Sequence, residues 1–278
     1  FFFLNQNIMP YSEAQEWMKK FAKKSYSKKG DDVVQMNYKA IDAGAEGLRE
    51  VKVDPSWADL TVNPVKESTG DDYFDSYVDV VGSLDGYDLP VSKFTEYELL
   101  DGTMQNNITF KEKRATADRV PLWHKENCIQ CNQCAFVCPH ATIRPFVLND
   151  EQIAKLPEDE REDVLNLMGG PNTKGLKFRI QVSPMNCVGC GICFVQCPGK
   201  GGKKALEMVE AKTQYHHEKA ADILYKETES RTDLFPLNTV KGAAFLPAYQ
   251  EVSGACAGCG ETPYYRLVSQ LFGKDMLV

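Results

Sequence analysis

Eight of the ten cysteines fall in two runs of one pattern. Cys128, Cys131, Cys134 and Cys138 follow C-x2-C-x2-C-x3-C-P in "NCIQCNQCAFVCPHA", and Cys187, Cys190, Cys193 and Cys197 repeat it in "NCVGCGICFVQCPG". Four thiolates at this density suit a [4Fe–4S] cube, which takes sulfur ligands in a tetrahedral array. Three at i, i+3, i+6 can wrap one side of a cube through a tight loop, and the fourth has to approach from elsewhere. Where two such runs hold two cubes, the C-P cysteine of each run ligates the other cube. Cys128, Cys131, Cys134 and Cys197 are therefore assigned to one cluster, and Cys187, Cys190, Cys193 and Cys138 to a second. Pro139 and Pro198 redirect the chain after the swapped ligand. Gly189 and Gly191 are expected to let backbone N–H groups approach the inorganic sulfides.

Two other chemistries use many cysteines. Structural zinc takes two C-x2-C pairs separated by a longer loop, not four cysteines within eleven residues. Disulfide-dense chains are short and scatter their cysteines, whereas a bridge inside either run would staple a segment to itself. The pattern points to a reducing compartment and to one-electron chemistry. Cys256 and Cys259, in "GACAGCGET", are less specific: a C-x2-C can bind zinc, act as a redox dithiol, hold part of a cluster or be inert. Two thiolates cannot complete a cube. If they bind one, its other ligands are expected beyond Val278. The pair stands just ahead of an expected helix N-terminus, which stabilises thiolate charge.

The remaining candidates are weaker. His216 and His217 are adjacent and read as a solvated helix face. His124 and His140 flank the first run and read as packing or surface residues. "GKGGKK" at 199–204 lacks the spacing of a phosphate loop and reads as a flexible turn. No serine or cysteine nucleophile constellation is recognisable.

These residues need a scaffold. "RVPLW" and "KFRIQVSP" precede the two runs, and "ATIRPFVL" and "KALEMVE" follow them, all reading as strands. Strand, cysteine turn with short helix, strand, twice over, is an internal duplication. The insertion "NDEQIAKLPEDEREDVLNLMGGPNTKG" reads as a surface helix ended by Gly169 and Gly170. Upstream, residues 11–50 read as two helices: one with a capping box from Ser12 and Gln15 and a stop at Gly30, the next carrying Val34, Tyr38, Ile41, Ala45 and Leu48 at helical spacing. Residues 61–103 read as an irregular acidic connection. Downstream, "YHHEKAADILYKETESRTD" suits a helix. Pro263 fits the first turn of another, Gly273 its C-cap, and "KDMLV" the start of a strand.

With 278 residues, 43% hydrophobic and 26% charged, the chain suits two or more folded units. A formal charge of −7 argues against nucleic acid or an anionic membrane as partner. No apolar run approaches the roughly 20 residues that span a bilayer. The opening "FFFLNQN" lacks the basic region of a signal peptide and is not a methionine start, so the chain is expected to begin inside a longer polypeptide. The expected fold class is α+β: a ferredoxin-like two-[4Fe–4S] domain with a pseudo-two-fold repeat, flanked by incomplete pieces of α/β domains.

The blocks "VPLWHKENCIQCNQCAFVCPHATI", "KGLKFRIQVSPMNCVGCGICFVQCP", "SGACAGCGETPYYRLVSQLFG" and "VVQMNYKAIDAGAEGLREVKVDPSW" resemble the pyruvate:ferredoxin (or flavodoxin) oxidoreductases over nearly the whole chain. The resemblance implies conversion of pyruvate and coenzyme A to acetyl-CoA and CO2 on thiamine diphosphate with magnesium. Electrons would leave through three [4Fe–4S] clusters to ferredoxin or flavodoxin. It also implies a domain map: 1–55, the end of a coenzyme-A-associated domain; 56–118, a connecting domain; 119–215, the two-cluster domain; and 216–278, a connector with the first βα unit of a thiamine-binding domain. On that pattern Cys256 and Cys259 belong to the third cluster, Glu261 contacts thiamine diphosphate, and Asn37 contacts coenzyme A. A homodimer, contact with the remainder of the polypeptide or complementary subunits, and a cytoplasmic or anaerobic-organelle location follow from the same likeness. The chain alone is expected to transfer electrons without decarboxylating pyruvate. The rivals are a free-standing carrier, which has no use for "SGACAGCGET", and a relay portion of another multisubunit enzyme, which leaves the flanking blocks unexplained.

Overall fold

The computed structural model describes residues 8–59, 68–105, 108–170 and 173–277. The opening "FFFLNQN", residues 60–67, Val278 at the end of "KDMLV" and the side chain of Ala45 lie outside what it describes. The chain divides into two compact units, residues 1–66 and 67–278.

In the first unit α1 (Tyr11–Tyr26) and α2 (Asp31–Glu46) pack together across a tight turn, burying Ala14 and Val34. Gly30 closes that turn at φ 103°, as expected of a helix stop. The capping box does not form. The helix starts at Tyr11 after Pro10 with no side-chain cap, and Gln15 instead donates across to Asp42 of α2, which also pairs with Lys19. Leu48 falls beyond the end of α2.

The second unit opens with more helix than its acidic composition suggests. A π-turn at Phe74–Val78 runs into α3 (Asp79–Gly82), followed by α4 (Ser92–Glu96) and α5 (Ile108–Lys111). Tyr73 stacks on Tyr77; Phe94 and Tyr97 meet them edge-on or tilted, and the Tyr97 hydroxyl donates to Asp72.

Five strands carry the core: β1 (Arg119–Trp123), β2 (Ile143–Leu148), β3 (Leu165–Asn166), β4 (Lys177–Val182) and β5 (Leu206–Glu210). β1 pairs antiparallel with β5, and β2 with β4, whose other edge takes β3. The four strands expected beside the cysteine runs are thus present. Short helices α6 (Gln133–Phe136) and α8 (Ile192–Gln196) follow the cysteine turns and pack together. Between the copies lie α7 (Asp150–Ala154) and β3. The single surface helix expected there is replaced by one short helix and an edge strand, because Pro157 removes a backbone donor and blocks continuation. Asn149 and Gln152 form the capping box that starts α7.

Alternation along β4 explains the packing. Phe178, Ile180 and Val182 face the apolar core with Ile143, Val147 and Leu206. Arg179 and Gln181 point the other way, yet are only 3% and 2% exposed, because the insertion and the 211–217 turn cover that face. A buried guanidinium needs partners. Arg179 donates to Gln181 at 2.8 Å and to the Glu160 carbonyl at 2.8 Å, and forms an ion pair with the Glu160 carboxylate. His217 Nδ1 lies 3.0 Å from the same carboxylate. His217 is therefore half-buried and engaged; the sequence reading placed it on a solvated face, as only His216 is. The residues form a 3-10 turn in which the two ring centroids lie 4.0 Å apart, not an α-helix that would separate them. Burial pushes the Glu160 carboxyl up, but His217 and Arg179 outweigh it and hold the group below its ordinary value. Its stabilising effect is present above the unfolded value of about 4.3 and fades as pH falls through the folded one. Glu160→Ala should cost about 3–5 kcal/mol by stranding Arg179, read as a lower denaturant midpoint.

α9 (Glu218–Glu227) covers the sheet through Ala220 and Leu224, which join Phe146, Leu148 and Leu156. α10 (Val240–Ala243) and α11 (Thr262–Phe272) complete the unit. Pro263 sits in the first turn of α11 and Gly273 caps its end, as expected; a 3-10 turn rather than a strand follows at Gly273–Asp275.

Candidate functional site

Both cysteine turns have the same backbone. Gln130 and Asn132 in the first run have φ 56° and 60°, and Gly189 and Gly191 in the second have φ 70° and 74°. In each, the N–H two residues after the first cysteine points back at its sulfur: Gln130 to Cys128 at 3.5 Å and Gly189 to Cys187 at 3.4 Å. Glycine adopts the left-handed region without strain. A Cβ on Gly189 would also lie 2.8 Å from the Arg119 carbonyl oxygen, so side-chain clearance, beyond approach to a sulfide, requires glycine there. The first run manages with buried amides. Gln130 donates to the Asn166 carbonyl and accepts from the Met168 N–H, both at 2.8 Å, and Asn132 donates to the Lys241 carbonyl at 3.0 Å. Sequence reasoning passed over Gln130 and Asn132. Aligning "CIQCNQC" with "CVGCGIC" would have found them as the residues standing where the second run has glycine.

The cysteines group across the runs. Cys128, Cys131, Cys134 and Cys197 line one cavity with Trp123, Ile180 and Leu206. Cys138, Cys187, Cys190 and Cys193 line another with Pro121, His140 and Ile143. All ten cysteines are free thiols. Among the described residues no three His, Cys, Asp or Glu side chains are placed to hold a single ion. Each cavity is lined by four thiols, the donor number of a cube. Burial pushes the Cys187 thiol up to about 12 and raises Cys128, Cys134 and Cys193 as well. Four thiolates in such an enclosure need cationic charge at its centre, which iron supplies. The donor set, the apolar walls and the inward N–H groups fit an iron-sulfur cube at each cavity.

Cys256 and Cys259 belong to neither cavity. Cys256 is exposed and Cys259 half-buried, and the Cys259 N–H donates to the Cys256 carbonyl at 3.1 Å. The loop between them rests on the second cavity: a Cβ on Gly258 would lie 3.8 Å from Cys190 Cβ. Backbone donors from Thr262 and Glu261, with the Thr262 hydroxyl, hold the Cys259 thiol below its ordinary value. His140, expected as a packing or surface residue, is 1% exposed and packs between the second cavity and this segment. Its carbonyl accepts from the Val252 N–H at 2.9 Å and its Nδ1 lies 3.3 Å from the Ser253 hydroxyl. Glu261 is exposed at the start of α11. Asn37 lies in the other unit, and its amide donates to the Val33 carbonyl one turn back at 2.7 Å. "GKGGKK" forms a tight turn closed by Lys200 and Lys203. Lys204 then donates to the carbonyls of Phe194, Val195 and Cys197, tying down the end of α8. No described helix is long and apolar enough to cross a membrane.

Comparison with known proteins matches residues 127–201 to the family described as a 4Fe-4S dicluster domain. The whole chain is 42% identical to the pyruvate:ferredoxin oxidoreductase of Moorella thermoacetica, covering 23% of it. It is 38% identical to the pyruvate-flavodoxin oxidoreductase of Klebsiella pneumoniae, again covering 23%. It is also 36% identical to the mitochondrial pyruvate dehydrogenase [NADP(+)] of Euglena gracilis, covering 15%. The chain thus spans about a quarter or less of the length of these curated relatives. Matched along all its residues, it belongs to the family of the pyruvate:ferredoxin and pyruvate-flavodoxin oxidoreductases.

Proposed function

We propose that this chain is the electron-relay portion of an enzyme that oxidises pyruvate with coenzyme A to acetyl-CoA and CO2. The observation that carries this reading is the grouping of eight thiols, four around each of two cavities, with a third cysteine pair laid against the second. When bound there, [4Fe–4S] clusters supply one-electron transfer at low potential. The chain's own residues hold the sulfurs at fixed spacing, aim N–H groups at them and exclude water with Trp123, Ile143, Ile180 and Leu206. Cys128, Cys131, Cys134 and Cys197 would ligate the first cluster, and Cys187, Cys190, Cys193 and Cys138 the second. The pairing of β1 with β5 and of β2 with β4 supports a pseudo-two-fold duplication, since exchanging the copies turns one pair into the other.

Cys256 and Cys259 would contribute to a third cluster, with its other thiolates from outside these residues. Gly258 lying against Cys190 supports a relay inside a larger enzyme over a free carrier. Glu261 would meet thiamine diphosphate with its magnesium, and Asn37 coenzyme A. Residues 1–55, 56–118, 119–215 and 216–278 would be the end of the coenzyme-A-associated domain, the connecting domain, the two-cluster domain and the opening of the thiamine-binding domain, the outer pieces belonging to α/β domains. Ferredoxin or flavodoxin would take the electrons. A homodimer in the cytoplasm or the lumen of an anaerobic energy organelle completes the reading.

The test is anaerobic. Chain loaded with clusters and reduced by dithionite should pass electrons to ferredoxin or flavodoxin in a stopped-flow mixing experiment. The same chain with pyruvate, coenzyme A, thiamine diphosphate and magnesium should leave a low-potential dye oxidised. Dye reduction by pyruvate would mean that the active site has been misplaced, and no transfer to either carrier would remove the relay.

A further inference from the structure

α11 is amphipathic in the inverted sense. Its buried face is the polar stripe Thr262, Arg266 and Gln270, at 6%, 3% and 7% exposure, while Tyr264, Leu271 and Phe272 face outward. Gln270 is satisfied by the Leu246 carbonyl at 3.0 Å. Arg266 is not satisfied in the same way. Its Nη1 donates to the Ala135 carbonyl at 2.9 Å and its Nη2 to the Phe136 carbonyl, at the end of α6 just before Cys138. Its Nε is buried without a hydrogen-bond partner.

A guanidinium enclosed this far is costly unless an anion balances it. Buried Arg179 has Glu160, and half-buried Arg144 has Glu251. Among the described residues no carboxylate forms an ion pair with Arg266. Peptide carbonyls satisfy donors but carry no net charge. The two carbonyls that Arg266 grips belong to the residues three and two positions before Cys138, and Cys138 lines the second cavity.

We propose that Arg266 is the fixed counter-charge of the iron-sulfur group at the Cys138 cavity, a positioning residue that raises that group's reduction potential without ligating it. The proposal rests on reading Cys138 as a cluster ligand. Four thiolates give the group net negative charge and reduction adds to it, so a nearby fixed cation favours the reduced state. The arginine comes from the helix that follows Cys259, so the element carrying the third cysteine pair also biases the second cavity.

The test is an EPR-monitored redox titration of the cluster-loaded protein. Arg266→Gln keeps hydrogen-bond donors and removes the charge, Arg266→Lys keeps the charge, and Cys138→Ser identifies which signal belongs to this cavity. Arg266→Gln should lower that potential by roughly a tenfold change in the reduced-to-oxidised ratio, about 59 mV for one electron. Arg266→Lys should recover more than half of the shift. An unmoved potential in Arg266→Gln, or equal shifts in both variants, would overturn the proposal. If Arg266→Gln holds no iron in this cavity, the lysine variant decides: full iron supports a need for charge, and iron loss there too overturns it. Absence of iron from the unsubstituted protein would sink the cluster reading itself and the counter-charge with it.

Discussion

Cys197→Ser is expected to empty the cavity lined by Cys128, Cys131 and Cys134, although it changes a residue some sixty positions away in the other run. Iron should fall from about eight to about four per chain, and the surviving EPR signal should match that of Cys128→Ser and not that of Cys187→Ser. The reason is geometric. Three thiols at i, i+3, i+6 occupy one loop, and a fourth ligand has to reach the cube from another direction. Cys197 stands at the end of α8 with its sulfur accepting the Ala205 N–H at 3.3 Å, and it lines the cavity of the first run. Cys138→Ser should give the converse, sparing the first cavity and emptying the second. A Cys197→Ser spectrum matching Cys187→Ser would show each run ligating its own cluster.

The second large effect concerns Cys256 and Cys259. Two thiolates leave half of a cube without protein ligands, and the exposure of Cys256 leaves any iron there open to solvent. The 278 residues alone should therefore hold no third cluster. A protein extended through the downstream domain of its relatives should gain about four irons, following the four-cysteine rule, and lose them again in Cys256→Ser. The start of α11 points N–H groups toward Cys259 and keeps its thiol low, which suits a ligand that must bind as thiolate. Equal iron in the two proteins would remove the third site and leave a carrier as the better reading.

How much of this was legible in the sequence differs from part to part. The cysteine runs and the four strands around them were, because thiol spacing and short apolar alternations are local signals. Pro263 and Gly273 likewise bounded α11 from local rules. What escaped depended on contacts distant in sequence. His217 looked solvated until Glu160, 57 positions earlier, was found beside it. Arg179 carries no motif of its own, and its burial depends on the insertion that supplies Glu160. Gln130 and Asn132 carry no motif of their own; their left-handed backbone is held by Asn166, Met168 and Lys241, each far along the chain. The polar buried face of α11 escaped for the opposite reason. Apolar residues at helical spacing are ordinarily the inner face, whereas here Arg266 and Gln270 turn inward to carbonyls of distant segments.

The account stands most directly on what fills the two cavities. Anaerobic reconstitution should be followed by iron, sulfide and zinc analysis and by EPR of the dithionite-reduced protein. It should give about eight irons and about eight sulfides per chain, with signals from two reduced [4Fe–4S] centres. Stoichiometric zinc with no EPR signal would contradict it.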